Sequence, residues 1–355
     1  MCRLCLKKHP TWDFDMEQCK IVHESARLSR VTEIVISGKE LLTPSYFPSI
    51  SSYGVKFSMR DMLYLLKFHK YPRLLLSAYD LHNSEPREKT ELMSIIKSYC
   101  QKGFLFMDSG LYESSWRKDP NWDMNSYKSL LSQIQFDLYT SFDVLPKTKK
   151  KETGEEFKDK TFKNVLESSV FQNDNLFIAI MHGSSPEALV SLVGELAKGH
   201  PNLCGAVAIA ERDCGYNILE RAGTISEIRR TLNQNNKENV LHILGCGNPL
   251  SMLLFSYCGA DTFDSLDWMK YVINPDPNSL LINDFSHLPL LNCKCRICDS
   301  PKQKSADYLE KVLLHNLLFY QGFVVQIQSL IKHDNLENYL RVHFGDNIID
   351  QVNES

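Results

Sequence analysis

No apolar run approaches the roughly 18–20 residues of a membrane-spanning helix anywhere in this 355-residue chain, so no transmembrane helix is expected. The first residues, Met-Cys-Arg-Leu-Cys-Leu-Lys-Lys-His-Pro, lack the apolar segment and small-residue cleavage site of a secretory signal. Excess charge is missing too. A formal net charge of −3 is not that of a general nucleic-acid coat, although a local basic surface stays compatible with it. No Gly-x-Gly-x-x-Gly follows the first strand-like run, which leaves a dinucleotide-binding fold without support. Cysteine, in contrast, is plentiful: eleven residues, an odd number. Without a secretion signal, these thiols point to a reducing cytoplasm and to use as ligands or core residues. Hydrophobic residues make up 43% of the chain, enough for a substantial core in one large domain or two ordinary ones.

Three of the thiols are crowded into Cys293-Lys-Cys295-Arg-Ile-Cys298. They are too close to pair neatly as disulfides but can converge on one tetrahedral metal. His315 follows 17 positions after Cys298 in an apolar, helix-like stretch, from which its imidazole can close a Cys₃His zinc site. Four protein ligands leave no open position, so such a zinc is structural. The plain alternative is three unpaired thiols and a core histidine. Cys2, Cys5, Cys19 and His23 form a second candidate set, but the run from Cys19 reads better as the first strand of a hairpin.

Elsewhere, short apolar runs alternate with segments of helical period. Strand-like runs are Tyr71–Ala78, Gly103–Met107, Gln135–Leu138, Leu176–Met181, Gly205–Ala210 and Val240–Leu244; helical ones include Pro186–Lys198 and Ser226–Asn233. Repeated β-then-α units imply a parallel sheet. Their number and the chain length favour an α/β fold closed as a (β/α)₈ TIM barrel, with a small zinc-binding subdomain near the C-terminus. Functional residues of such barrels lie where strands end, and Asp108, Asp143, His182 and Asp264 each follow an apolar run. Helix capping accounts for any one of them; convergence on a common mouth accounts better for all four. The charged segment Lys147–Asn164 reads as a solvated loop, with a phosphate-contacting loop as the alternative.

Taken together, Phe-Met-Asp108-Ser109-Gly110, His-Ile-Leu-Gly245-Cys-Gly247-Asn-Pro, Gly259-Ala-Asp-Thr-Phe263-Asp264-Ser265 and the Cys-x-Cys-x₂-Cys…His pattern resemble the tRNA-guanine transglycosylase superfamily, and its archaeal-type branch in particular. Leu42-Thr43-Pro44-Ser-Tyr-Phe-Pro48 resembles the start of that family's barrel. The likeness runs from about Cys19 to the C-terminus, leaving residues 1–18 as an extension and 19–355 as the barrel domain, with the zinc subdomain at about 286–320. Members exchange a guanine in nucleic acid for a free 7-deazaguanine without breaking the chain. The resemblance implies Asp264 as nucleophile and Asp108 as acid/base, the covalent logic of a retaining glycosidase. It also implies Asp143 at the purine's Watson–Crick edge, Tyr112 stacking on the base and Leu244 closing the other face. Ser109, Gly183, Gly205, Ala206 and Gly245 fall at further base-contacting positions. His182 stands where the family often has glutamine, and its imidazole is expected to donate to a purine carbonyl.

Two departures bear on the polymer. Ser265-Leu-Asp267-Trp268-Met-Lys270 replaces the Pro-Thr-Arg element of bacterial tRNA enzymes, and little sequence follows the His315 helix to form further RNA-binding domains. These features resemble stand-alone paralogues that insert 7-deazaguanines into DNA. The expectation is therefore a DNA-directed enzyme taking 7-cyano-7-deazaguanine, whose target base must leave its stack. Its alternatives are a tRNA enzyme with a partner RNA-binding subunit, and a non-catalytic partner subunit. A duplex-opening ATPase partner and a homodimer are both compatible with the sequence.

Overall fold

The computed structural model describes residues 19–25, 27–55, 57–145, 154–171, 175–274, 282–284, 293–299 and 308–354. Expectations for residues 1–18, including Cys2 and Cys5, lie outside the described residues.

Three strands, β1 (Cys19–Glu24), β2 (Arg30–Ile36) and β3 (Lys39–Leu42), form an antiparallel sheet, with the hairpin beginning at Cys19 as expected. Eight strands then close a parallel barrel: β4 (Ser45–Ile50), β5 (Arg73–Ser77), β6 (Phe104–Asp108), β7 (Leu138–Thr140), β8 (Leu176–Met181), β9 (Ala206–Ala210), β10 (Val240–Leu244) and β11 (Thr262–Ser265), the last pairing with β4. The short antiparallel pair β12 (Tyr271–Ile273) and β13 (Ile282–Asp284) follows. The (β/α)₈ expectation holds. No helix among the described residues is long and apolar enough to cross a membrane.

The two-residue strand period sorts the barrel side chains. Phe47, Leu75, Phe104, Phe106, Ile178, Ile180, Ala206 and Ala208 share the inner cluster, while Leu105, Met107, Phe177, Ala179, Val207, Ile209, Leu241 and Ile243 join the cluster packed under the helices. Cys19, Ile34, Ile36 and Leu41 of the antiparallel sheet belong to the inner cluster, so that sheet plugs the end where the barrel strands begin. Polar groups fasten the plug. Lys39 Nζ lies 2.6 Å from Asp137 Oδ1 and donates to the Cys100 and Gly103 carbonyls. Asp261, fully buried, accepts from Arg30 Nε at 2.8 Å and from Arg229 at 2.5 Å. The two guanidiniums outweigh its burial and hold its carboxyl below the usual range.

Local readings need three corrections. The strand expected at Gln135–Leu138 begins at Leu138, because Asp137 is drawn aside to accept from Leu105 N and to pair with Lys39. The charged segment is helical from Gly154 to Ser168, with Thr161, Val165 and Ser168 buried on one face at helical spacing; residues 147–153 lie outside the described ones. The helix expected over Ser226–Asn233 spans Ile218–Asn235, started by the Asn217 side chain accepting from Leu219 N and Glu220 N.

Candidate active site and metal centre

Extending the inward register by one pleat places polar groups at the mouth. Asp108 follows Phe106, His182 follows Ile180, Ser49 follows Phe47, and Asp264 lies two residues beyond Thr262. These four line one cavity with Asp143, Tyr112, Leu244 and Gly245. Its volume is about 420 Å³, within the ~300–1,000 Å³ typical of small-molecule sites.

Asp264 is 7% exposed and ringed by donors. Ser49 Oγ donates to its Oδ2 at 2.6 Å, and Gly245 N donates to Oδ1 at 3.2 Å. The fully buried His242 presents Nε2 to Oδ1 at 3.1 Å. Asp108 is in a different environment. Burial, then the neighbouring Glu113, Asp143 and Asp264 charges, push its carboxyl up to about 8 against the opposing bond from Gly110 N. Gly110 makes the turn that follows β6: its φ is +70°, and a Cβ there would lie 2.5 Å from Tyr79 Cβ. One carboxylate is thus oriented by three donors, while its neighbour is held protonated near neutral pH.

Across the cavity, His182 bridges two carboxylates. Its Nε2 is 3.0 Å from Asp143 Oδ1, and its Nδ1 meets Asp213 Oδ2. Burial opposes the imidazolium, but Asp143 and Asp213 overcome it and raise His182 to about 10. Both ring nitrogens are therefore engaged, and the expected donation to a purine carbonyl would require giving one up. Here His182 orients Asp143.

The rim is aromatic and cationic. Tyr112 and Tyr53 meet edge to face at 4.7 Å; Arg212 lies over Tyr112 at 5.0 Å and Lys270 over Tyr53 at 5.1 Å. Tyr112, 37% exposed, is thus available for stacking, but with a guanidinium already on its ring.

Other expected contacts fall elsewhere. Gly205 and Ala206 do not reach the site. Ala206 opens β9 opposite Val240 at the plugged end, and Ala210 and Glu211, at the strand's other end, line the cavity instead. Ser109 is buried behind the lining, its N–H on Thr140 Oγ1 and its carbonyl on Trp122 Nε1. Gly183 supports the site from outside, packed so closely that a Cβ would lie 2.6 Å from Leu189 N. The sequence reading missed Glu113, His242, Asp213 and the paired serines Ser49 and Ser51. His242, a polar residue inside the apolar run Val-Leu-His-Ile-Leu, carried a detectable signal.

The ligating atoms of Cys293, Cys295, Cys298 and His315 lie within 4.8 Å of one another. His315 comes from the long helix Tyr308–Lys332. Its Nε2 donates to the Ile273 carbonyl at 2.8 Å, while Nδ1 faces Cys295 and Cys298 Sγ at 3.5 and 3.4 Å. That outer bond fixes the tautomer with Nδ1 free for the metal. Three thiolates and an imidazole fit tetrahedral zinc with no open position, so the cluster is structural. The neighbouring Asn316 ties the same turn to Trp268 O, Tyr271 O and Ile273 N.

Comparison with known proteins agrees with this geometry. The family model "TGT: Queuine tRNA-ribosyltransferase" matches residues 24–346. A tRNA-guanine(15) transglycosylase from Methanococcus vannielii is 23% identical over 335 residues, covering 87% of this chain and 49% of its own length. The protein of the same name from Methanosphaera stadtmanae is 23% identical over 259 residues, 69% of this chain and 37% of that protein. One from Archaeoglobus fulgidus is 26% identical over 184 residues, covering 48% and 37%. The chain spans about half the length of the curated relatives it matches most fully. The archaeal likeness expected from the motifs is present, but the expected DNA substrate is overturned, since these relatives are named for tRNA. The duplex-opening partner and the choice of 7-cyano-7-deazaguanine, which rested on the DNA reading, lose their support with it. From its barrel, its mouth and its match over residues 24–346, the chain belongs to the queuine tRNA-ribosyltransferase family.

Proposed function

We propose that this chain exchanges a guanine of tRNA for a free 7-deazaguanine through a covalent aspartyl intermediate, with Asp264 as nucleophile and Asp108 as acid/base. The observation that carries the reading is the pairing of unlike carboxyl environments in one cavity: Asp264 oriented by three donors, Asp108 raised to about 8. Paired carboxyls with separated roles are what glycosyl transfer with retention requires.

In this reading an Asp264 oxygen attacks C1′ as the bond to guanine breaks, its electron pair leaving with the purine. Asp108 gives its proton to the departing base. The incoming base then loses a proton to Asp108 and attacks C1′, displacing Asp264 and restoring both carboxyls. Asp143, held by His182, accepts from the purine's N1–H and exocyclic amine, while Tyr112 and Leu244 face the ring. The target base must leave its stack to reach this depth.

The test is incubation of the purified chain with tRNA and labelled guanine or 7-cyano-7-deazaguanine, with denaturing gels to trap protein–RNA adducts. Incorporation and an adduct are expected, both lost in Asp264→Ala. An adduct of normal yield in Asp264→Ala would place the nucleophile elsewhere.

A further inference from the structure

Glu113 has no part in the exchange as written, yet it is among the most enclosed acids of the cavity. It sits at the third position of the short helix Leu111–Trp116 and is 6% exposed. Ser51 Oγ donates to its Oε1, while its Oε2 has no hydrogen-bond partner among the described residues. A buried carboxylate oxygen left without a partner is costly, and calls for a ligand or water that completes it.

Its place is set by a ruler in the chain. Ser49 holds Asp264 and Ser51 holds Glu113. These serines are two residues apart, Ser49 within β4 and Ser51 one residue past its end, a separation of at most roughly 7 Å. Glu113 therefore meets the cavity further out than the proposed nucleophile, close enough for the Asp264 charge to act on it. The groups that suit the purine edge, Asp143 and His182, stand across the mouth after β7 and within the turn after β8. A group reaching Glu113 while C1′ faces Asp264 belongs to the sugar.

Its chemistry follows from the surroundings. A phosphate is disfavoured beside Glu113, on which Asp108, Asp80 and Asp264 act; of the cations lining the cavity, Arg212 and Lys270 lie over the rim tyrosines and Arg221 pairs with Glu211. A hydroxyl, which both donates and accepts, pairs with either form of a carboxyl. That versatility matters here: burial, aided by the Asp80 and Asp264 charges and opposed by the Ser51 bond, lifts Glu113 to about 7.

We infer that Glu113 receives the ribose 2′-hydroxyl of the target nucleotide and so selects RNA at the reacting residue, an inference that rests on the base-exchange reading of this cavity. Bonds to the hydroxyl next to the reacting carbon strengthen as the sugar gains oxocarbenium character, and deoxyribose lacks the group.

The experiment compares tRNA carrying guanosine or a single 2′-deoxyguanosine at the target, with wild type, Glu113→Ala and Glu113→Gln. In wild type the deoxy substitution should lower kcat/KM about 10- to 100-fold. In Glu113→Ala the two substrates should converge to within about threefold, and Glu113→Gln, which keeps an acceptor and the Ser51 contact, should lie between. If Glu113→Ala does not fold, the narrowing in Glu113→Gln decides. A negligible deoxy penalty in wild type, or an undiminished penalty in the folded variants, overturns the assignment while exchange itself stands. Wild type that exchanges neither substrate overturns the base-exchange reading, and this inference with it.

Discussion

His242 Nε2 lies 3.1 Å from Asp264 Oδ1, and the same ring presents Nδ1 to Thr262 Oγ1 at 2.9 Å. An imidazole sealed inside β10 therefore braces a carboxylate on the neighbouring strand. Gly245 N and Ser49 Oγ complete the cradle from β10's end and from β4.

Replacing His242 with Phe keeps the volume and removes the brace. We expect kcat for base exchange to fall about 10- to 100-fold, the worth of one hydrogen bond to a charged group, with KM for tRNA nearly unchanged. Steady-state kinetics at saturating tRNA checks this. A loss confined to KM would mean that His242 shapes binding rather than the proposed nucleophile.

In the proposed mechanism Asp108 links catalysis to stability. Its folded value, about 8, lies above an unfolded value near 3.9, so between those limits the native state holds the extra proton. Its contribution to stability is intact below the unfolded value and is lost as pH rises through about 8. Asp108→Asn should abolish exchange yet gain stability relative to wild type from pH 5 to pH 8.5, by at most about 1.4 kcal/mol per pH unit. Urea melts of both proteins at pH 5, 7 and 8.5 measure it, and a constant gap contradicts the assignment.

His182 has the same sign of pH dependence, but its proton is held by ion pairing and not by burial. Raised to about 10 by Asp143 and Asp213 despite its burial, it stabilises the fold fully below its unfolded value near 6.5 and loses that contribution as pH rises through about 10. His182→Gln should cost about 3 kcal/mol at neutral pH, since two enclosed carboxylates lose their shared cation. The gap should close above pH 10. KM for the incoming base should rise as Asp143 loses its orientation. Denaturation at pH 7 and pH 10.5, with base titrations at pH 7, tests both halves.

Cys295→Ser should remove most bound zinc and lower the melting temperature, because ligand binding at a closed site is coupled to folding. Metal analysis of the purified variant should show well under one zinc per chain. A full complement of metal would exclude Cys295 from the ligand set.

What the sequence disclosed depended on how each signal is written. Cys293, Cys295, Cys298 and His315 lie on two short stretches, so their spacing exposed the metal cluster directly. Asp108 and Asp264 end strands whose apolar runs are legible, and so their position at the mouth was too. Glu113 was hidden because a single acid in a six-residue helix looks like any solvated residue; only the turn at Gly110 carries it inward. Asp213 was hidden in the same way, its role being defined by a histidine 31 positions away. The error at Gly205 and Ala206 has another origin: they were carried over from the family resemblance. The rule that parallel barrel strands end at the mouth points instead to the far end of the same run, where Ala210 and Glu211 line the cavity.

The plug formed by β1, β2 and β3 has a kinetic consequence. With one end of the barrel filled by Cys19, Ile34, Ile36 and Leu41, the cavity opens at the other. In the proposed exchange the departing and incoming bases would share that one entrance, and the freed base would compete with its own successor for the same vestibule.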